Sequence, residues 1–255
     1  MRPRRNCGFV CLRIFTVGGI GILKGKYFFK TARRFFVRKN LCYNFSMLNL
    51  EKEKKLFAKG NFMVGGVDEA GRGSLAGPVV AACVSCSAKF KIDSKNHQLK
   101  NINDSKKISK KVREPLYEFI MAEKGFNVGI GIVGNRLIDK INIGQATLLA
   151  MKKAIRNIKT KLDFLLIDGN QLLPQLKIKQ KAIIRGDEKI FLIAAASIIA
   201  KVTRDRMMVG YHHRYERFNF NKHKGYGTSE HRQLINIYGP CSLHRKSFAP
   251  MRISK

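Results

Sequence analysis

The segment KIFLIAAASIIAKVTRDRMM, residues 189–208, is so nearly continuous in apolar residues over its first half that a helix there has no side to offer water. It must be largely buried, which demands a layered domain. A second stretch makes the same demand: DFLLIDGN, residues 163–170, is an unbroken apolar run ending in an acid, the pattern of a strand buried on both faces. Upstream, MVGGVDE and PVVAACVSC read as two strands joined by a glycine-rich turn, a hairpin with a long loop. FNVGIGIVG alternates as a third strand. SKKVREPLYEFIMAEK is a predicted helix in which Pro115 is comfortable only near the first turn. IGQATLLAMKKAIRNIK is an amphipathic one, with Leu148, Met151, Ile155 and Ile158 along a single stripe. Strands alternating with helices predict an α/β fold, and the opening meander predicts a mixed central sheet flanked by helices.

Charge narrows the class of partner. Fifty Lys+Arg against 17 Asp+Glu give a formal net charge of +33, beyond what solubility requires and of the sign that attracts polyphosphates. Nucleic acid leads over a membrane, but charge alone does not separate a ribosomal or chromatin-type binder from an enzyme. Six cysteines in 255 residues are too sparse for a disulfide framework and fit a reducing, cytoplasmic setting. Cys83 and Cys86 form a lone CxxC without a second pair at zinc-finger spacing, so small core thiols are the simpler expectation. Residues 1–46 stand apart as a basic leader with 11 Lys/Arg and no acid, followed by Met47. The leader resembles an organellar transit peptide, and VGGIGIL resembles a signal-peptide core too short to span a membrane. A true start at Met47 accounts for it more simply, because no periodicity commits these residues to a core. One catalytic-sized domain is expected over residues 47–255.

The acids decide between binder and enzyme. Asp68 in GGVDEAGRG, Asp168 in LLIDGN and Asp187 in IIRGDE share one design, an apolar run that delivers an acid into a glycine-containing turn. In open α/β sheets the active crevice lies outside the carboxyl ends of the strands, so such acids can converge there. Grouped carboxylates repel one another, and a hard divalent cation is the physical remedy. Taken singly, each has a plainer role: turn chemistry for Asp168, a helix N-cap for Asp187, a solvated loop pair for Asp68 and Glu69. Three together in a chain poor in acids point to a metal site. Glu69 raises a geometrical problem, since neighbours on a strand face opposite ways. An immediate backbone bend, permitted by Gly71 and Gly73, is the expected solution.

In order, GVDEAGRGSLAGPVVAA, NDSKKIS, LIDGN, RGDEKIFLIAAASIIAKVTRDRMM, HKGYGTSEH and GPCSLHRKSFAP resemble the successive motifs of bacterial type 2 ribonuclease H, the ribonuclease HII family, from about Leu50 to Pro250. The resemblance implies a ribonuclease H-like fold with a helical C-terminal extension. It also implies a four-carboxylate site on Asp68, Glu69, Asp168 and Asp187 that holds two divalent ions, Mn2+ or Mg2+. The activity implied is endonucleolytic hydrolysis of the RNA strand of RNA–DNA hybrids. Cleavage 5′ of ribonucleotides embedded in duplex DNA, with 5′-phosphate and 3′-hydroxyl ends, is implied with it, and the enzyme is expected to be a monomer. Arg72, where the related type 3 enzymes carry lysine, and a leader without a folded-domain pattern favour type 2. Ser74 departs from the family's usual proline, and His212 stands where a Tyr-Pro pair is common, which leaves the local helix end open.

The same resemblance distributes the substrate contacts. Gly71, Arg72 and Gly73 correspond to the main-chain element that reads a ribose 2′-hydroxyl, the group by which a protein tells RNA from DNA. Tyr226 corresponds to a tyrosine that packs on the deoxyribose following the ribonucleotide. Lys106, Lys201 and Arg204 are the expected phosphate contacts, which position a duplex without reading its bases. The six histidines show no ligand spacing; His223 and His231 flank the Tyr226 turn, where structural roles are expected. A non-catalytic basic binder and a nuclease of all-DNA substrates are the rival readings.

Overall fold

The structure, a computed structural model, describes residues 48, 50–90 and 102–251, so the basic leader lies outside the described residues. Its centre is a five-stranded sheet in the order β3-β2-β1-β4-β5. The strands are β1 (Met63–Ala70), β2 (Val79–Ser87), β3 (Phe126–Val133), β4 (Phe164–Asp168) and β5 (Lys179–Ile183). The first three form the expected antiparallel meander, while β4 and β5 run parallel to β1. The sheet is therefore mixed: the helix Asn135–Arg156 returns the chain to β4, and residues 169–178, which contain no helix, carry it on to β5.

Strand periodicity assigns residues to two cores. Val64, Ala82, Val84, Cys86 and Leu166 face one side. Val67, Ala81, Cys83, Leu165 and Ile167 face the other. The CxxC thiols thus lie on opposite faces, and burial pushes both up to about 12, as expected of inert core thiols. The first face is covered by the apolar helix, which spans Phe191–Arg214 and is buried from Phe191 to Ala200. With α1 (Glu51–Phe57), α2 (Lys110–Ala122) and α3 (Asn135–Arg156) preceding it, this helix is α4. It runs through His212 because histidine, unlike proline, keeps the N–H that a helix interior needs. Its N-terminus lacks a capping side chain of its own. Instead Glu53, buried on α1, accepts the Leu192 N–H at 3.0 Å.

The second face is covered by α3. Met151, Ile155 and Ile158 are buried as the stripe predicts, but the closest approach is made by the alanines: a Cβ on Gly129 or Gly131 of β3 would strike the Ala154 or Ala150 carbonyl. Pro115 lies well inside α2 rather than in its first turn. Its site and Lys111, whose carbonyl loses its helical partner, are both exposed, which leaves that carbonyl within reach of solvent. The chain finishes with α5 (Phe220–His223) and α6 (Ser229–Tyr238), a helical C-terminal extension around Phe218, Phe220 and Ile235. No helix among the described residues is long and apolar enough to cross a membrane.

Candidate active site

Two parallel strands deliver the first pair of acids. β1 and β4 are in register at Val67↔Ile167, so Asp68 and Asp168 arrive side by side where β4 ends. Beyond β5 the chain turns through Arg185, in the left-handed region at φ 56, into a short 3-10 turn, Gly186–Glu188, that carries Asp187. The Gly186 N–H donates to Asp168 Oδ1 at 2.7 Å and ties this turn to the end of β4. The turn leads straight into α4, which presses onto β1 at Gly66, where any Cβ would collide with the Leu192 and Ile193 main chain. Gly66 therefore serves close packing, and that packing brings Asp187 to the other two acids. Asp187 is not the N-cap of α4, which is Ile190.

Glu69 solves its geometrical problem differently from expectation. β1 stays paired with β2 as far as Ala70↔Val80, and the chain turns only at Gly71, where φ is +89. No immediate bend occurs. Asp68 and Glu69 keep opposite faces, and Asp168 couples to both because β4 stops there and leaves the edge of β1 open. Glu69 lines a recess with Arg72, Thr147, Asp168 and Gly169. Gly73 is exposed with open space around a hypothetical Cβ and has no positive φ, so only Gly71 is required by conformation.

The electrostatics follow from this crowding. Burial, then the neighbouring Glu69, Asp168 and Asp187, raises Asp68 well above the usual carboxylate range. Burial and Asp168 raise Glu69 against the opposing pull of Arg72 and Lys106. Asp187 is raised by burial, Asp104 and Asp168. The relieving cations stand at the rim: Lys106 Nζ lies 3.7 Å from Asp187 and Arg72 Nη1 3.7 Å from Glu69, both side chains largely exposed. Burial opposes the charge on Lys106, but Asp187, Asp68, Asp104 and Asp168 outweigh it and raise its pKa. No group of three His, Cys, Asp or Glu among the described residues is drawn close enough to enclose an ion. The arrangement is an open set of hard oxygen donors under mutual repulsion, and that donor chemistry suits Mg2+ or Mn2+.

Beside the acids, residues 71–78 are held from below by two fully buried guanidinium groups. Arg245 donates to the carbonyls of Gly71 at 2.7 Å, Arg72 at 2.8 Å and Gly77 at 3.0 Å. Arg204 donates to Pro78 at 2.9 Å, Lys224 at 3.0 Å and Ala76 at 3.1 Å. The expectation that Arg204 faces phosphate is thereby corrected: it has no exposed surface and its donors are turned to main chain. Since a peptide's N–H points opposite its C=O, Arg245 turns the Arg72 and Gly73 N–H groups away from the interior. Tyr226 bridges to Ser74 beside this turn, with Lys201 Nζ 5.1 Å and Arg204 Cζ 5.2 Å from its ring centroid. Lys201 is mostly buried and pairs with Asp205 at 2.8 Å. Ser74 is buried and its hydroxyl has no hydrogen-bond partner among the described residues.

Sequence reading missed Arg245 and Asp104. Asp104 is buried and accepts the Lys106 N–H at 2.8 Å, which orients that lysine. Both lie within quoted motifs, NDSKKIS and GPCSLHRKSFAP, but nothing local marks either as a site residue. His223 and His231 take the structural roles expected of them, and with His244 they gather in one buried cluster that the sequence spacing does not show.

The ribonuclease HII family model matches residues 65–251, a span that contains the carboxylates, the glycine turn, Tyr226 and both buried arginines. This chain belongs to the ribonuclease HII family. A ribonuclease HII of Caldanaerobacter subterraneus is 52% identical over 196 residues, covering 77% of this chain and 78% of that protein. Among solved structures, the ribonuclease H2 of Pyrococcus horikoshii matches with TM-score 0.60 at 25% identity, over 74% of this chain and 95% of that one. A Bst ribonuclease HIII solved in complex with Mn2+ shares the fold, with TM-score 0.57 at 15% identity over 75% of this chain and 68% of that one. Membership of the family makes the chain a nuclease, a hydrolase of phosphodiester bonds.

Proposed function

We propose that this chain is a divalent-metal-dependent endoribonuclease that hydrolyses the RNA strand of RNA–DNA hybrids and cuts 5′ of ribonucleotides embedded in duplex DNA, leaving 5′-phosphate and 3′-hydroxyl ends. The observation that carries the reading is the meeting of Asp68, Asp168 and Asp187, joined by Glu69, where parallel strands end beside an exposed glycine turn. Two ions, Mg2+ or Mn2+, would be held by these four carboxylates and would supply a nucleophilic water and relief of charge on the leaving oxygen. The residues do the rest. Asp68, buried and raised by all three other acids, would be the central ligand, with Glu69, Asp168 and Asp187 completing the set.

Gly71, Arg72 and Gly73 present main-chain groups to the ribose 2′-hydroxyl. Tyr226 packs on the following deoxyribose. Lys106 and Lys201 contact phosphate, and Arg204 supports Tyr226 from beneath. All four carboxylates come from one chain, which supports action as a monomer. The free, buried Cys83 and Cys86 support a reducing, cytoplasmic setting.

The test is a duplex DNA carrying one ribonucleotide, incubated with Mg2+ or Mn2+ beside an all-DNA duplex and a chelated control. One cut on the 5′ side of the ribonucleotide, dependent on the metal, is expected. Retention of the duplex without shortening would identify a pure binder, and cleavage of the all-DNA duplex a different nuclease.

A further inference from the structure

Two separate segments of the C-terminal extension stitch the glycine-rich loop in place. The Leu75 N–H donates to the Gly225 carbonyl at 2.8 Å, next to Tyr226. The Gly77 N–H donates to Leu243 at 3.0 Å and the Arg245 N–H to Leu75 at 2.9 Å, in the segment that carries the guanidinium beneath Gly71 and Arg72. The two segments are joined directly by a pair of imidazoles, His231 Nε2 and His244 Nε2, 3.1 Å apart.

The proton positions in this pair follow from its ends. The Cys241 main-chain N–H donates to His244 Nδ1 at 2.9 Å, so that nitrogen is bare and His244 carries its proton on Nε2. That proton is donated to His231 Nε2. His231 must then carry its own proton on Nδ1, which lies 3.0 Å from the Tyr226 carbonyl oxygen and donates to it. The result is a one-way relay, from Cys241 through His244 and His231 to Tyr226, with both rings neutral. Phe220 closes the surroundings edge-on to His231, Phe218 edge-on to His244, and His223 stacks on His231 at 4.2 Å. His223 is locked as well, accepting the Gly225 N–H on Nδ1 and donating from Nε2 to Phe218. Apolar side chains would fill this space with no demand on direction, whereas a buried directional chain fixes the segments it joins.

We infer that the His231–His244 pair is a positioning device that sets Tyr226 against the Gly71–Gly73 main chain, and so a determinant of selectivity at an RNA-to-DNA junction. It rests on the reading of Tyr226 and the glycine turn given above. Both rings are buried and neither bonds to a carboxylate, so the pair acts through the spacing of the two sugar-reading elements. A lone ribonucleotide in DNA engages both elements at once, while a continuous hybrid leaves Tyr226 without its deoxyribose. Disturbing the relay therefore shifts the preference between these substrates more than it slows chemistry.

The experiment compares kcat and KM on a duplex with one ribonucleotide and on a continuous RNA–DNA hybrid. His231→Leu is expected to lower the junction-to-hybrid ratio of kcat/KM by roughly tenfold, chiefly through KM, as befits one or two lost hydrogen bonds. His231→Asn, whose amide N–H takes the place of Nδ1–H, is expected to restore the ratio to within about threefold. An unchanged ratio in His231→Leu, or no recovery in His231→Asn, overturns the proposal. If His231→Leu does not fold, nitrogen-resolved NMR of the wild-type histidines decides: His231 protonated on Nδ1 and His244 on Nε2 at neutral pH are required. An Nε2–H or charged His231 overturns it. A wild type that cuts neither substrate would instead sink the ribonuclease reading, with the tautomer measurement still standing.

Discussion

Two buried polar clusters lie within one domain and resolve their electrostatics in opposite ways. Where β1 and β4 end, burial and the neighbouring carboxylates raise the pKa of Asp68, Glu69 and Asp187, and the relieving cations stand at the exposed rim. Around the C-terminal extension, its three histidines and Arg245, with Arg204 of α4, are as deeply buried, yet every ring and guanidinium nitrogen has a hydrogen-bond partner, mostly main chain. A cluster that satisfies itself is scaffold. One that cannot do so without a cation has capacity left for a ligand, and the difference separates reacting groups from positioning groups more reliably than burial does.

The sharpest way to break this contrast is Asp68→Asn. Its amide oxygen can still accept the Glu69 N–H that Asp68 accepts at 2.6 Å, but one metal-binding charge is gone. Cleavage is expected to fall by roughly a thousandfold or more, because metal supplies both the nucleophile and charge relief. Hybrid binding, measured in chelator, should change by no more than about threefold, since phosphate is held by the basic rim. The metal-free protein should become more stable by about 1 kcal/mol, as expected where a functional site stores repulsion. A loss of stability would mean that Asp68 is a structural acid.

The scaffold cluster should respond in reverse. Arg245→Met strands the carbonyls of Gly71, Arg72 and Gly77, which should cost about 3 kcal/mol or more in urea unfolding. Arg204→Met should do the same through Ala76, Pro78 and Lys224. These two arginines also mark where sequence reading ran out. Four of the five strands were legible from their apolar patterns, and Asp68, Asp168 and Asp187 because each is announced by its neighbours, an apolar run entering a glycine turn; β5, Lys179–Ile183, was not marked as a strand. Arg245 reaches carbonyls 168 to 174 residues away, so in a chain this basic it reads as one more surface charge. Arg204 was misread as a phosphate contact because nothing in AKVTRDR shows that its guanidinium turns inward, and the three histidines looked scattered because only the fold gathers them. Glu69 was assigned to the site from resemblance, but its route there, around the open edge beyond β4, depends on where a partner strand stops.

The two clusters should also pull the pH dependence of stability in opposite directions. Burial and then His223 lower His231 to about 4, and burial lowers His244 to about 4. Unfolded histidine titrates near 6.5, so the unfolded chain binds more protons in between. Their contribution is complete above about 6.5 and is lost as pH falls towards about 4. Asp68 has the opposite sign: with its folded pKa raised, its contribution is complete below the unfolded value and declines as pH rises. Melting temperatures in chelator should therefore drop on the acid side in wild type and in Asp68→Asn alike. On the higher-pH side the decline should be shallower in Asp68→Asn. Identical profiles on that side would remove the repulsion argument for the carboxylates.

The smallest effect concerns the rim, where the two clusters' logic meets the substrate. Lys106 is mostly exposed and 3.7 Å from Asp187, so its ion pair contributes little to folding. If it contacts phosphate, Lys106→Ala should weaken hybrid binding by about 1 kcal/mol and reduce the slope of log affinity against log salt by about 1, uniformly across sequences. Removing this lysine also takes a cation from beside Asp187, so stability of the metal-free protein should change by less than about 1 kcal/mol. The combination separates the alternatives. A lysine that only balances Asp187 would alter stability or metal affinity and leave the salt slope intact. One that touches the duplex must change the slope, since each neutralised phosphate releases its counterions. The slope is thus the measurement that assigns Lys106 to the substrate or to the carboxylates.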